Sequence, residues 1–582
     1  MLKKNLCIAV VFLVLVVITT YPLVFNINKY LPAYFSTDES FAIPWTSWFN
    51  KFSLLNHLSF FRTDYISYPF GIELYNFTAL IWTALIYILS ILTTPALTYN
   101  LQIVFNLFLT GYSTYLLVLY LAKNRAAALL SGVIFGFCPY MFVRSWQHIG
   151  ETYLWPMPVF LLLLFILLNR NDFKIKALFV LNFIFAAINF DVTFYICVIL
   201  LVFFVYMFFK LRKRAAYFMN IIFLIFISFL LLLPQFLPVF VKILNPPSKV
   251  PSPFNPFLRS FGDLFEYSAK PLSYFLPSVT HPVFGKFTEQ FIGSALYGIS
   301  FTEHTLYLGW IPILLAAVAF YRWKKSRKTQ SAQGQDNLYI GFFVFLTIAA
   351  WFFSQPPWWK IGPLKVYMPS FFVYKILPPF RAYCRFGVVL MLAVSVLSGF
   401  GLKFIMERFK NKGIKLGIVI LACILVLFEF WNYPPFKVID ISKAPEVYYW
   451  LKDQPSDTVI AEYPLDIESP SEMYRLYQIT HEKKMINYTI PGQKAHEVAL
   501  TMAKLSDPLT ILKLKDLGVK LVLVHRELYL DTGLISDQEE LKKIAVNPGL
   551  KFVRSFFAQD CADNDSMCIQ KTGQIDVYGL VL

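Results

Sequence analysis

The sequence is poor in charge. Asp, Glu, Lys and Arg together make up 15% of its 582 residues, while 57% are hydrophobic and 18% are aromatic. An ordinary soluble chain carries about 25% charged residues, and a soluble fold could not cover this much apolar surface. The charges are sparse before about residue 430 and dense after it. The composition therefore excludes a wholly soluble protein and predicts a membrane region followed by a soluble one.

Cysteine is also scarce. Seven cysteines are too few for a disulfide framework, and four of them lie inside apolar runs, where they act as small hydrophobic residues: Cys7, Cys138, Cys197 and Cys423. Cys561 and Cys568 differ, because they flank the polar loop CADNDSMC. A disulfide in an oxidising compartment and two free surface thiols both fit this pair.

Several catalytic motifs are absent. The chain contains no HExxH, no CxxC and no glycine-rich phosphate loop followed by Lys and Ser or Thr, so it gives no support to a zinc protease or a cytoplasmic nucleotidase. The formal charge of +17 could suggest nucleic acid, but the basic residues form short clusters between apolar runs. No basic face or nucleic-acid module is visible, so nucleic acid is not an expected partner.

Long apolar runs are abundant instead. About 20 apolar residues cross the hydrocarbon layer, and about 17 form the lower limit. Eleven candidate spans occur, near residues 6–25, 98–122, 126–141, 153–169, 175–190, 192–209, 217–240, 304–320, 338–354, 386–405 and 414–431. The first lacks a small-x-small cleavage site and is interpreted as a retained span rather than a signal peptide. The predicted fold class is thus a polytopic α-helical membrane bundle.

Basic clusters predict the orientation of this bundle. One assignment satisfies the positive-inside rule, with every cluster on the cytoplasmic side together with Lys3 and Lys4. The apolar segment 78–93 then cannot cross, because an extra crossing would invert every later basic loop. Three long segments and the C-terminal region fall outside the cell membrane: 26–97, 241–303, 355–383 and everything after about residue 432.

One segment departs from that rule. Residues 355–383 carry four cations on the predicted outer side: Lys360, Lys365, Lys375 and Arg381. Either the assignment fails there, or these cations bind an anionic ligand at the outer surface.

The pattern changes after Pro434 and Pro435, where short β-rich runs alternate with helical ones. This change predicts two domains. Residues 1–432 form the membrane bundle with its outer loops, and residues 433–582 form an extracytoplasmic soluble α/β domain.

Asp38 and Glu39 are the most informative charged residues. They lie in STDES, about a dozen residues after the first span, on the predicted outer side. Adjacent carboxylates suit a general base, since one can take a proton while the other orients it or binds a cation. A solvated acidic loop is the plain alternative, and a divalent metal ion on this pair stays open because hard cations favour carboxylates.

With this acidic pair, two aromatic-rich segments (WTSWFNKFSLLN and TDYISYPFGIELY) and a multi-span bundle, the chain resembles the GT-C superfamily of membrane glycosyltransferases. It resembles more closely an uncharacterised bacterial subgroup, through YPFG, EHTLYLGW, PPFRAYCRFG, VIAEYPLD and GVKLVLVH. The resemblance implies a GT-C bundle, a polyprenyl-phosphate-linked sugar as donor and an inverting transfer. It implies Asp38 as catalytic base and Glu39 as its supporting acid, without a nucleotide.

Arg381 and Arg385 are candidates for the donor phosphate. Four residues apart, they would point the same way on a helix at the outer edge of the membrane. A guanidinium group presents several donors in a plane and stays charged, which suits a phosphate. Lys375 or Lys365 could assist. The alternative is that both arginines reach lipid headgroups at the end of a span.

Other outer ionisable residues are candidate donor or acceptor contacts. They are Arg144, His148 and Glu151 in RSWQHIGE, Asp191 at the end of a span, His281, and the pair Glu303 and His304. In the C-terminal region, His481, His496 and His525 are too scattered in sequence to define a site.

These features predict an inverting hexosyl- or pentosyltransferase in the cell membrane, with an extracytoplasmic glycan, lipid or protein as acceptor. Its expected partners are the lipid-linked donor and membrane lipids, and the sequence identifies no protein partner. Two alternatives remain. A transporter or flippase of lipid-linked saccharides typically shows related halves and mid-membrane charges, which are not evident here. A non-catalytic envelope assembly protein would not depend on Asp38.

Overall fold

The computed structural model describes residues 2–32, 38–74, 80–210, 215–245, 258–326, 334–432, 437–465, 469–530, 535–557 and 573–581. The Cys561 and Cys568 pair lies outside these residues. Asp38 and Glu39 begin a helix, but their side chains lie outside what the structure describes.

The α-helices of these residues are, in chain order, α1 Leu2–Thr19, α2 Asp38–Leu55, α3 Leu80–Leu92, α4 Pro95–Ala122, α5 Arg125–Gly136, α6 Pro139–Gln147, α7 Pro156–Leu167, α8 Phe173–Ala186, α9 Phe190–Lys210, α10 Ala215–Leu231, α11 Leu233–Leu244, α12 Asp263–Glu266, α13 Gly285–Glu289, α14 Phe301–His304, α15 Trp310–Ser326, α16 Gln335–Phe353, α17 Pro369–Ile376, α18 Gly387–Met406, α19 Lys412–Glu429, α20 Glu446–Lys452, α21 Ser469–His481, α22 Lys494–Leu500, α23 Pro508–Asp516, α24 Arg526–Leu530 and α25 Ile535–Ala545. Short 3-10 helices cover Leu23–Asn26, Ile149–Thr152, Pro271–Tyr274 and Tyr383–Phe386. The strands are β1 Tyr30–Pro32, β2 Arg62–Thr63, β3 Ile72–Glu73, β4 Trp358–Ile361, β5 Leu364–Tyr367, β6 Val438–Asp440, β7 Val459–Tyr463, β8 Lys484–Met485, β9 Val519–His525, β10 Leu550–Phe557 and β11 Gln574–Leu580.

The chain has the helices of a multi-pass membrane protein. Six helical stretches of the described residues are long and apolar enough to cross a membrane: Pro95–Ala122, Arg125–Gln147, Ile149–Leu167, Phe190–Lys210, Gln335–Phe353 and Tyr383–Met406. A seventh span results if the bent pair α10 and α11 is counted as one. The other predicted spans coincide with shorter or less apolar helices, namely α1, α8, α15 and α19. A total of eleven stays a prediction.

One predicted span is sharply bent. The segment 217–240 forms α10 and α11, whose axes differ by 78°. Pro234 lies in the first turn of α11 and Pro238 lies inside it. Proline has no N–H to donate and its ring clashes with the preceding turn, so a straight helix cannot continue through this sequence.

The chain folds as two compact units. Unit 1 comprises residues 1–21, 77–82 and 103–435, and unit 2 comprises residues 22–76, 83–102 and 436–582. Most of the first predicted outer segment, 26–97, therefore groups with the C-terminal residues and not with the bundle.

Helix α18 is one of the well-buried helices of unit 1. It is buried along nearly its whole length, including Gly399 and Gly401. A Cβ on Gly401 would lie 1.9 Å from the carbonyl oxygen of Leu315 on α15, and one on Gly399 would lie 2.3 Å from Ser131 Oγ on α5. Small residues thus let backbones approach closely, as in other membrane helix packings.

Unit 2 is built on a five-stranded sheet in the order β10-β11-β9-β7-β8. β7 runs parallel to β8 and β9, while β11 pairs antiparallel with β9 and β10. Helix α2 belongs to this unit. Its Trp45 and Phe49 are buried with strand residues of the sheet, and Trp45 Nε1 donates to Gln478 on α21 at 2.7 Å. β1 pairs with β6 in the same unit.

Candidate functional site

Five of the predicted site residues meet in unit 1, although they are far apart in sequence. Arg144 is on α6, Glu151 on the following 3-10 helix, Asp191 in the first turn of α9, Glu303 on α14 and Arg385 on the 3-10 helix before α18. The motifs EHTLYLGW and PPFRAYCRFG therefore come together, because the first contains Glu303 and the second contains Arg385. We call these five residues the charge cluster.

Arg385 is the hub of the charge cluster. Its Nε and Nη2 donate to the two carboxylate oxygens of Glu303, at 3.0 and 2.7 Å. Its Nη1 donates to Glu151 at 2.9 Å and to Asp191 at 2.7 Å. One planar guanidinium group thus binds three carboxylates from three different segments.

Arg144 supports Glu303 from a second direction. Its Nη1 and Nη2 lie 3.3 and 2.5 Å from the Glu303 oxygens, and its side chain is fully buried. Its guanidinium carbon lies 5.3 Å from the centre of the Tyr140 ring, and the Tyr140 hydroxyl donates to Glu151 at 3.3 Å. Arg144 Nε and the nearby Tyr195 hydroxyl have no hydrogen-bond partner among the described residues, so the cluster has unused capacity for a polar group.

The electrostatics of the cluster follow from this geometry. Burial alone would raise the pKa of the Glu303 carboxyl, but Arg144 and Arg385 outweigh burial and hold that pKa well below its ordinary value. The cluster contains three carboxylates and two guanidinium groups. It reaches solvent through Asp191 and Arg385, whose side chains are each 15% exposed. The surplus carboxylate can accept a proton or a hydrogen bond from a hydroxyl group that approaches this edge.

The Glu303 backbone is fixed by its neighbours. The Ser300 hydroxyl accepts from the Glu303 N–H at 3.3 Å. The buried His304 ring lies 2.8 Å from the Ser300 carbonyl oxygen and 3.1 Å from that of Ser268. Gly298 makes room for this ring, since it has φ +102° and a Cβ there would lie 2.5 Å from the imidazole. His304 thus stabilises the loop that carries Glu303.

Arg381 differs from Arg385 in its surroundings. Among the residues that the structure describes, it makes one ion pair, to Asp263 at 3.4 Å; it also stacks 4.9 Å from the Tyr267 ring and is 31% exposed. Burial, together with the charge of Arg381, lowers the pKa of the neighbouring Arg259. Arg381 therefore presents a guanidinium group at a partly open position, where an anion can approach it.

An apolar cavity of about 990 Å³ lies in the same unit. Tyr274, Trp351, Trp359 and Leu390 are among its lining residues, and Lys270 is the charged residue in its described wall. Lys270 Nζ donates to the Phe265 carbonyl at 2.6 Å and lies 3.3 Å from Ser268 Oγ. Burial lowers the pKa of Lys270.

The remaining predicted residues lie apart from the charge cluster. His281 has both ring nitrogens on the backbone, with Nε2 2.8 Å from the Phe428 carbonyl and Nδ1 accepting from two N–H groups at 3.1 Å. Lys375 packs 4.4 Å from the Phe371 ring at the end of α17. His148 ends α6. Among the described residues no group of three or more His, Cys, Asp or Glu could hold a metal ion.

A polar cluster in unit 2 was missed from the sequence. His525 Nε2 lies 2.7 Å from Glu462, which also accepts from the Tyr448 hydroxyl at 2.7 Å. Glu462 and His525 stand near the carboxyl ends of the parallel strands β7 and β9. That position is the available signal, because side chains at the carboxyl ends of neighbouring parallel strands meet.

No protein-family model and no curated protein matches the sequence. Solved structures do match the fold. Arabinofuranosyltransferase AftD from mycobacteria superposes with a TM-score of 0.53 at 13% identity, over 99% of this chain and 41% of that one. An oligosaccharyltransferase from Archaeoglobus fulgidus, tethered to an acceptor peptide, gives a TM-score of 0.50 at 13% identity, over 100% of this chain and 74% of that one.

Both neighbours are membrane glycosyltransferases of the GT-C fold. At this identity the likeness shows a shared fold alone, which is the GT-C fold that the sequence resemblance implies. The chain spans 41% of the length of the mycobacterial protein.

Proposed function

We propose that this chain with a GT-C fold is a membrane glycosyltransferase. It moves a sugar from a polyprenyl-phosphate donor to an extracytoplasmic acceptor, a glycan, lipid or protein of the cell envelope, with inversion at the anomeric carbon. The observation that carries the proposal is the superposition of 99% of the chain on an arabinofuranosyltransferase. The charge cluster supports it, since an elaborate buried ionic site is expensive to maintain without a function.

The proposed reaction is a direct displacement. The acceptor hydroxyl or amide attacks the anomeric carbon, the bond from that carbon to the phosphate oxygen breaks, and polyprenyl phosphate leaves with the bonding electrons. Asp38 takes the proton from the acceptor, and Glu39 supports it. Neutralising the leaving phosphate lowers the barrier, because negative charge grows there in the transition state.

We assign different roles to the two arginines that the sequence suggested for the phosphate. Arg381 contacts the phosphate, because its ion pair with Asp263 is long and its side chain is 31% exposed. Arg385 already binds three carboxylates and acts as a positioning residue for Glu303, Glu151 and Asp191. The 990 Å³ apolar cavity suits part of a prenyl chain.

The proposed orientation follows the positive-inside rule. The N-terminus lies in the cytoplasm of a cell whose plasma membrane holds the protein, and the C-terminal region lies outside. A membrane-spanning enzyme of this orientation meets lipid-linked donors at the outer leaflet.

The test is an assay of the purified full chain in proteoliposomes. Synthetic polyprenyl-phosphate donors carrying a pentofuranose or a hexose are supplied with envelope glycan as acceptor, and released polyprenyl phosphate is measured by mass spectrometry. The pentofuranose is included because one structural neighbour is an arabinofuranosyltransferase. Asp38→Asn should abolish release, and Arg381→Ala should reduce it by about a hundredfold, the scale of losing one charge-stabilising donor.

Two variants serve as controls. Asp453→Asn changes an exposed carboxylate of unit 2, and Arg322→Ala removes an arginine that packs on Phe404 in unit 1. Both should retain activity. Full activity of Asp38→Asn would refute the assigned base, and movement of intact donor across the bilayer without cleavage would identify a flippase instead.

A further inference from the structure

The hairpin formed by β4 and β5 emerges from the membrane region and returns to it. It begins five residues after the span Gln335–Phe353 ends, and α17 follows it before the span Tyr383–Met406 begins. Because the segment 354–382 directly joins two spans, both of its ends lie on the same side of the bilayer. Its side chains are therefore held near the membrane surface.

The two faces of the hairpin differ completely in chemistry. Alternate residues of a strand point to opposite faces. In the observed register, one face carries Trp359, Ile361, Leu364 and Val366, and is wholly apolar. Ile361 and Leu364, beside the Gly362 turn, are 61% and 62% exposed. Such a face is costly in water, and unit 1 leaves it uncovered at the tip.

The opposite face is cationic. It carries Trp358, Lys360, Lys365 and Tyr367, with Lys360 directly opposite Lys365. Like charges opposite each other across two strands destabilise a hairpin unless an anion offsets them. Lys365 Nζ packs 4.8 Å from the Trp358 ring. The segment 354–382 contains no Asp or Glu at all.

Helix α17 extends the same pattern. Its Phe372 and Ile376 are 56% and 74% exposed, and Lys375 stands between them on the Phe371 ring. Aromatic residues, exposed aliphatic residues and lysines in one short segment are typical of the boundary between headgroups and acyl chains.

We propose that this hairpin and α17 form an element that docks on the surface of the bilayer and binds anionic phospholipid headgroups. The apolar face of the hairpin enters the boundary of the acyl chains, and Lys360, Lys365 and Lys375 bind lipid phosphates. Trp359 belongs to the apolar face and also lines the 990 Å³ cavity, so docking brings lipid to the wall of that cavity. Docking depends on the lysines and the apolar face of the hairpin, so the proposal does not rest on the proposed glycosyl transfer.

Photo-crosslinking tests the contact with lipid. The full chain carries p-benzoylphenylalanine in place of Leu364 and is reconstituted in nanodiscs of phosphatidylcholine and phosphatidylglycerol. The matched control carries it in place of Lys365, the next residue, on the other face. After illumination, mass spectrometry should find several times more lipid adducts at position 364 than at 365. Equal yields, or adducts to protein alone, would overturn the proposal.

A second experiment tests the headgroup preference. In the position 364 crosslinking protein, Lys360→Gln and Lys365→Gln should each lower the ratio of phosphatidylglycerol to phosphatidylcholine adducts, by up to about fivefold, since a lysine at an anionic surface contributes about that factor. The exposed pair Lys542→Gln and Lys543→Gln in unit 2 is the control and should leave the ratio unchanged. An unchanged ratio in the hairpin variants would refute the preference for anionic headgroups, even if the first experiment finds lipid adducts at position 364.

Discussion

Glu303 shows how a single buried carboxylate can hold two arginines. Both of its oxygens bind Arg144 and Arg385, and its side chain is 8% exposed. Removing one partner of a buried ionic pair is far more harmful than removing both, because the remaining charge stays desolvated. The fully buried Arg144 has its ion-pair partner in Glu303 among the described residues.

Glu303→Gln should therefore destabilise unit 1 by about 3–5 kcal/mol. The measurement is the thermal unfolding midpoint of the purified chain in detergent. Asp336→Asn is the control, because Asp336 pairs with Lys403 at a half-exposed position and should contribute about 1 kcal/mol or less. Equal midpoints for the two variants would show that the charge cluster is not what holds these segments.

His481 gives unit 2 a dependence on pH. Burial, with a smaller effect of Lys483, lowers the pKa of His481 to about 3 from an ordinary value of 6.5. Above about pH 6.5 the imidazole is neutral in the folded and the unfolded chain. Below it the unfolded chain takes a proton that the folded chain does not take, so the free energy of unfolding falls by about 1.4 kcal/mol per pH unit.

Hydrogen exchange of the β7 and β9 amides measures this effect between about pH 7 and about pH 5. His481→Gln should lose less protection on acidification than the natural chain. His57→Asn alters an exposed histidine of the same unit, at φ +54° where Asn is tolerated, and should behave like the natural chain. If His481→Gln lost as much protection as the natural chain on acidification, His481 would not be the group that causes the pH dependence.

The residues of the charge cluster could be singled out from sequence, but their contacts could not. Each stood out because an ionisable residue beside a span is unusual. Arg385 and Glu151, however, are 234 positions apart, and no local pattern encodes that pairing. The expectation that Arg381 and Arg385 act alike assumed one helix, whereas Arg385 lies on a 3-10 helix that begins at Tyr383.

Among the elements, α18 sets the packing of unit 1. Gly401→Ala would drive a methyl group into the Leu315 carbonyl, where a fixed backbone cannot yield. We expect a loss of about 1–3 kcal/mol, measured as a lower thermal midpoint in detergent. Gly417→Ala on α19 has open space around its Cβ and should stabilise the helix by about 0.5–1 kcal/mol. Similar changes in the thermal midpoint for both substitutions would show that helix propensity, and not the close contact with Leu315, determines the effect of Gly401→Ala.

The apolar runs predict where membrane helices occur, but they do not predict where a helix breaks. Each predicted span overlaps one helix or two consecutive helices, because a long apolar run is encoded locally. The break of 78° between α10 and α11 depends on two prolines that a hydropathy window averages away. The sequence predicts an outer loop over 26–97, whereas this segment contains α2. Trp45 on α2 is buried in unit 2, where it donates to Gln478, a residue more than four hundred positions later.

At the scale of the whole molecule, the basic loops make a prediction about sidedness. The positive-inside rule places the C-terminal region outside the cytoplasm. Alkaline phosphatase fused after Leu582 should therefore be active in intact cells, and green fluorescent protein fused there should not fluoresce. Fusion after Lys412, in a basic loop, is the matched control and should give the opposite pair of signals. A fluorescent C-terminal fusion would reverse the proposed orientation.

The wide spacing of the charge cluster also bears on how the protein is made. Asp191 leaves the ribosome 194 residues before the arginine that neutralises it. At common translation speeds that interval is roughly ten to forty seconds. Throughout it, the early helices carry acidic groups that have not yet met Arg385, so the complete charge cluster forms only after the late segments have been synthesised.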